Sequence, residues 1–244
     1  MGKNEYKVPE LSTPIAFDLE TVADPDALEF MKDPKPPANY KDPEKIANYI
    51  EKERRKQIEK MALNPNTAII VACGFAGYDK KGELWSLAAV SDSSLPEKKL
   101  LGVIWDVLSR GHSAFITFHG KAFDLPFLLR RSLILGVIPS VLISRAKYDT
   151  PPRGNHYDLS GIIGEFGSMP TGGLDTMSRI VLREGKDREG TAPSDEIGEF
   201  YKQGKYEEIA KRATTDAELT LRLWDKCAGV YFVTPRGGRA DGMG

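Results

Sequence analysis

The chain has 244 residues, 41 % of them hydrophobic and 28 % charged, with a formal net charge of −1. That balance fits a folded globular protein and excludes a globally basic nucleic-acid binder, so any affinity for nucleic acid must come from local patches. The two cysteines, Cys73 and Cys227, stand far apart with no nearby His or Cys, which argues against a zinc site and a disulfide framework and fits a reducing compartment. No apolar run approaches the length of a membrane span, and the first residues lack a signal-peptide core, so the expectation is a cytoplasmic protein with no membrane segment.

Residues 1–13 are polar and expected to be flexible. Ile15, Ala16 and Phe17 then form the apolar run of a strand buried on both faces. Asp18 and Glu20 interrupt it on either side of Leu19, and at the strand period of two they point the same way. Either the strand frays into water there, or a cation sits between the two acids. Residues 24–42, rich in Pro and Asp, read as an extended connection. Asp42-Pro43-Glu44 is a helix start, an N-cap followed by Pro at the first helical position, and the helix should run to about Ala62. Residues 24–66 thus read as a helical insertion. Its row of Lys52, Lys56 and Lys60 is either a solvated face laced with Glu or a phosphate-contacting edge.

Residues 67–75 form a strong buried strand, 78–82 a turn and 83–90 a second strand, together a hairpin. A helix over 100–109, a short strand over 114–118 and a helix over 124–135 follow, the last stopped by Gly136 and Pro139. Residues 147–155 are loop, 157–166 a helical start, 174–182 a short helix, and 183–195 an exposed loop. Two more helices, over 195–204 and 206–226, precede a tail expected to be disordered from 235 to 244. Strands dominate the first half and helices the second, which predicts one α/β domain over 14–230, with a mixed sheet flanked by helices.

Two further acids stand out. In Phe118-His119-Gly120-Lys121-Ala122-Phe123-Asp124, a strand ends, a glycine turn follows, and Asp124 opens a helix, either as a plain N-cap or as a third site carboxylate. Asp216 lies mid-helix on the apolar face with Leu219, Thr220 and Leu223, and wants a partner. Arg212, one turn earlier, could pair with it; so could a metal.

Taken together, Phe17-Asp18-Leu19-Glu20-Thr21, the stretch from Phe118 to Leu128, and the stretch from Asp216 to Thr220 resemble the three motifs of the DnaQ-like (DEDD) 3′–5′ exonucleases. The variant most resembled is the group related to the proofreading domain of family-B DNA polymerases. The likeness covers residues 14–227 and extends to His156-Tyr157-Asp158-Leu159 and to Leu174-Asp175-Thr176-Met177-Ser178 with Gly185-Lys186. It implies an RNase H-like fold with a mixed five-stranded sheet, and two divalent ions, Mg²⁺ or Mn²⁺, held by Asp18, Glu20, Asp124 and Asp216. Asp18 would bridge both ions, Glu20 and Asp216 would serve mainly the nucleophile side, and Asp124 would act through the second ion. The implied substrate is single-stranded or frayed DNA, shortened from its 3′ end, with Leu19, Thr21, His119, Phe123 and Lys211 at positions that contact the strand. Arg130, Arg131, Arg145, Lys147 and Arg153 are candidates for a basic groove.

The chain departs from this family where the water-orienting group is expected. A Tyr four residues before the last Asp, or a His five before it, is replaced by Arg212 and Lys211. An arginine stays protonated and cannot act as a base. Three readings follow. Arg212 clamps the scissile phosphate as part of the catalytic set; Lys211, His156 or Tyr157 takes over the water; or Arg212 pairs with Asp216 in place of a metal, leaving a catalytically impaired nucleic-acid-binding protein. An exonuclease acting on RNA ends, and a structural protein whose acids are merely solvated, are the remaining alternatives.

Overall fold

The structure is a computed structural model that describes residues 11–112, 114–148, 154–185 and 189–232. Strand β1 (Leu11–Ala23) leads into a short helix, α1 (Pro25–Glu29), and a long one, α2 (Pro43–Ala62). The hairpin β2 (Ala68–Asp79) and β3 (Leu84–Val90) precedes α3 (Glu97–Leu108), β4 (Phe115–Thr117) and α4 (Asp124–Leu135). Then come β5 (His156–Asp158), α5 (Leu159–Ile163), a 3₁₀ turn over Glu165–Gly167, and α6 (Leu174–Met177), which runs into a π-helical turn over Ser178–Leu182. Helices α7 (Ile197–Lys202) and α8 (Tyr206–Tyr231) complete the order. Among the described residues the sheet has five strands, in the order β3-β2-β1-β4-β5. β1, β2 and β3 run antiparallel to one another in sequence, and β4 and β5 continue from β1 in parallel. This is the mixed five-stranded sheet of an RNase H-like fold. Among the described residues, no helix is long and apolar enough to cross a membrane.

Alternation along β1 sorts its side chains between two cores. Ile15, Phe17 and Leu19 face α3 and α4, packing with Phe75, Ile104, Trp105 and Phe127. Ala16 faces the other way, toward α5 and α8, with Ile116, Leu159, Leu219 and Leu223. Asp18 and Glu20 share the parity of Ala16, so the same alternation that buries the apolar run turns both acids toward α8.

Gly74 decides how closely α8 approaches. It lies opposite Asp18 in the β1–β2 ladder, and a Cβ there would stand 2.1 Å from the carbonyl oxygen of Ala213. Only glycine lets the helix backbone rest on the strand at this point. On the other face, Arg131 of α4 makes a two-pronged ion pair with Glu97 of α3, at 2.8 and 2.6 Å, and Glu97 Oε1 also accepts from the Ile70 amide at 2.9 Å. Arg131 is therefore a buried structural cation, not part of a groove.

Helices α2 and α4 have the expected bounds, and other elements differ for identifiable reasons. The stretch expected to start a helix at Tyr157 is first a strand, β5, too short to show a period. The connection over 24–42 contains α1, capped by Asp24 with Pro25 behind it, the same Asp-Pro start that marks α2. β2 continues to Asp79, α8 runs on to Tyr231, and β1 begins at Leu11, inside the stretch expected to be flexible. Residues 1–10 and 235–244, with Arg153 and Lys186, lie outside the described residues.

Gly74→Ala should lower unfolding stability by about 1–3 kcal/mol, the usual cost of overpacking. Denaturant unfolding checks this, and an unchanged midpoint would show that α8 can move off the strand without cost.

Candidate active site

β1 and α8 meet at the acids. Ligand oxygens of Asp18, Glu20 and Asp216 all lie within 4.8 Å of one another. Arg212 enters the same cluster from α8. Its Nε donates to Glu20 Oε1 at 2.6 Å, Nη2 stands 3.7 Å from Asp216 Oδ2, and Nη1 donates to the Ala192 carbonyl at 3.1 Å. Arg212 thus bonds Glu20 more closely than Asp216, the partner raised as one alternative. Burial works against the guanidinium charge, while Glu20 and Asp216 hold it, and the net effect raises its pKa. Three carboxylates and the Arg212 guanidinium thus share one cluster. Converging carboxylate oxygens are hard donors that suit Mg²⁺ or Mn²⁺, so these residues fit the divalent ions the fold family implies.

Asp124 stands beside this trio rather than within it. β4 stops at Thr117, so on that side β1 has no strand partner at Leu19 among the described residues, and Asp124 Oδ1 accepts from the Leu19 amide at 2.9 Å. The carboxylate therefore ties α4 to β1 across the sheet instead of serving as the N-cap, which is Phe123. Burial pushes its pKa up to about 7, the amide donors of Leu19 and of Asp124 itself oppose that, and the charges of Asp158 and Glu20 add to it.

Asp158, at the end of β5, shapes the turn before α4. Its carboxylate accepts from the amides of His119 at 2.8 Å and Lys121 at 3.0 Å. His119 is exposed and held at a φ of 72°, and a Cβ at Gly120 would meet Thr117 at 2.4 Å. Asp158 is the positioning residue that reading by motif left without a role; the His-Tyr-Asp-Leu stretch was its signal.

The remaining positions separate. Leu19, Glu20, Thr21 and Phe123 line a cleft of about 900 Å³ whose other walls are α2, through Ile58, and the start of α7, through Ile197. The Thr21 hydroxyl donates to the Ala62 carbonyl at 2.7 Å, and Phe123 packs on Phe127 with ring centroids 4.8 Å apart. Lys211 turns away from the acids, its Nζ donating to the Glu189 carbonyl at 2.5 Å. His156 and Tyr157 do not reach the acids' water. His156 is fully buried, with Nδ1 against the Ser144 carbonyl and Nε2 against the Thr117 hydroxyl. A carbonyl only accepts, so Nδ1 carries the proton and Nε2 accepts from Thr117. Tyr157 packs on Trp224 and Phe232 in the core beneath α8.

A five-stranded mixed sheet with acids gathered between its first strand and last long helix defines an RNase H-like domain of the exonuclease kind. A family model described as "Predicted 3'-5' exonuclease related to the exonuclease domain of PolB" matches residues 62–231, and the chain belongs to that family. The match contains Asp124, Arg212 and Asp216 and begins after Asp18 and Glu20. The chain is 26 % identical over 155 residues to a DNA polymerase of Pyrococcus glycovorans, covering 59 % of this chain and 19 % of the relative. It is 27 % identical over 157 residues to a DNA polymerase of Pyrococcus horikoshii, covering 59 % of this chain and 12 % of the relative. It thus spans less than a fifth of these curated relatives. The solved family B DNA polymerase of Pyrobaculum calidifontis superposes with a TM-score of 0.57 at 16 % identity, over 87 % of this chain and 24 % of that one, a likeness of fold.

His156 makes stability depend on pH. Burial, with Lys121 nearby, lowers its pKa from 6.5 to about 4, against the opposing pull of Asp158 and Ser144. The unfolded chain binds the proton first, so stability is full above pH 6.5 and falls as pH drops toward 4, by on the order of 3 kcal/mol. His156→Gln should flatten that fall in thermal unfolding measured across this range; an unaltered slope would assign the acid sensitivity elsewhere, the half-buried His112 being another imidazole lowered to about 4.

Proposed function

We propose that the chain is a metal-dependent 3′–5′ exonuclease that removes nucleotides from single-stranded or frayed DNA ends. The observation that carries this reading is the convergence of Asp18, Glu20 and Asp216 within 4.8 Å, with Asp124 alongside. Two divalent ions bound there would activate a water and stabilise the leaving 3′ oxygen. Asp18, Glu20 and Asp216 hold the site's negative charge, and Asp124 fixes the end of α4 against β1. The cleft beside them takes the terminal nucleotide, its base against Leu19 and Phe123 and its sugar near Thr21. His119, exposed on the turn before α4, flanks the strand. The polymerase names of the relatives support DNA over RNA as substrate. A cytoplasmic location belongs to the same proposal and is supported by two buried free cysteines.

Arg212 supplies no base. Its guanidinium lies between Glu20 and Asp216, where it can donate to a phosphate oxygen once the scissile group arrives. The 2.6 Å contact with Glu20 also favours a second reading, in which Arg212 stands in for a metal and the chain binds nucleic acid without cutting it.

With Mg²⁺ or Mn²⁺, 5′-labelled single-stranded DNA should shorten stepwise from its 3′ end. Glu20→Ala should slow this at least about a hundredfold, since metal charge stabilisation is worth several kcal/mol. No shortening with binding retained would favour the second reading. Calorimetric titration of Mn²⁺ separates the two roles of Arg212: Arg212→Ala should leave metal binding intact while cleavage falls, whereas a gain of a metal site would show that the arginine occupies one.

A further inference from the structure

A second pocket, of about 400 Å³, lies across the His119–Lys121 turn from Asp124, and Asp158 forms part of its wall. Lys121, Arg145 and Lys147 line it, together with the half-buried ring of Phe166. The Tyr148 ring meets Phe166 edge-on, with centroids 5.0 Å apart, and Lys147 Nζ lies 5.4 Å from the Tyr148 centroid. The backbone here is strained. Glu165, Phe166 and Gly167 follow one another in left-handed conformation, with φ of 47°, 56° and 103°. Non-glycine residues rarely adopt it singly, let alone in succession. Such strain gathers where it presents a side chain for use. Asp158, the acid in the wall, has its oxygens engaged by backbone amides.

Cations flanking an aromatic face are the chemistry that holds a phosphodiester and its base. We propose that this pocket binds an internal nucleotide of the single strand, with Arg145 and Lys147 on the phosphate and Phe166 against the base, while the 3′ end lies at the carboxylates. The proposal rests on the exonuclease reading and adds a second foothold for the strand. It explains why the turn carrying His119 is clamped: the turn separates the two footholds and sets their spacing.

The test is fluorescence anisotropy of a labelled single-stranded oligodeoxynucleotide with the full chain in EDTA, across a salt series. Substituting both Arg145→Ala and Lys147→Ala should weaken binding and reduce the salt slope by about 0.7 for each phosphate that is no longer neutralised. Phe166→Gly should weaken binding at least about fivefold. It should leave the thermal midpoint unchanged or raised, since glycine accepts the left-handed backbone; a merely structural ring would lower the midpoint and spare binding. Dinucleotide hydrolysis and Mn²⁺ binding should not change in either variant. Affinity and salt slope equal to those of the unaltered chain would overturn the pocket while leaving the exonuclease reading intact. Failure of the unaltered chain to bind any oligonucleotide in EDTA would likewise overturn the pocket, whereas the exonuclease reading falls only if 5′-labelled DNA is neither bound nor shortened with Mg²⁺ or Mn²⁺.

Discussion

The site depends on backbone contact between α8 and β2 at Gly74. Asp18 and Glu20 stand on a strand, Arg212 and Asp216 on a helix, and no sequence-local force brings them together. What does so is the absence of a side chain at Gly74, which lets the Ala213 carbonyl sit where a Cβ would otherwise be. Because Gly74 pairs with Asp18, the closest approach of the helix falls beside the first acid. Arg212 and Asp216 flank that point of contact along α8.

Bringing three carboxylates together costs free energy that the fold must offset. Arg212 offsets part of it, and the manner matters. It bonds Glu20 at 2.6 Å and stays 3.7 Å from Asp216, so it holds the β1 acid more closely than the acid on its own helix. Asp124 is handled differently: it is separated from the trio and given backbone amides, so its burial is met by hydrogen bonds rather than by a counter-charge. Two devices for holding buried acids thus lie side by side.

The parts of this arrangement that are legible in the sequence are those with local signatures. The Asp-Pro start placed α2, the glycine and proline after Leu135 ended α4, and period-two spacing put Asp18 and Glu20 on one face. Asp216 stood out as an acid on an apolar helix face. What could not be read depends on distant partners. β5 is a strand only because β4 lies beside it, Arg131 is buried only because Glu97 faces it, and Arg212 reaches Glu20 across 192 positions of sequence. Lys211 and Arg212 are neighbours with the same charge, yet Arg212 points into the acids and Lys211 to a loop carbonyl. Helical phase decides between them.

Asp158 links these observations. Its carboxylate fixes the His119–Lys121 turn, its charge adds to the rise in the Asp124 pKa, and its backbone ends the last strand of the sheet. The turn it holds is the wall between the acid-lined cleft and the basic pocket. A residue whose carboxylate bonds to backbone amides therefore sets the distance between two sites of opposite charge. Under the proposed exonuclease function that distance matters, because a polyanionic strand would meet cations along its length and the carboxylates at its end.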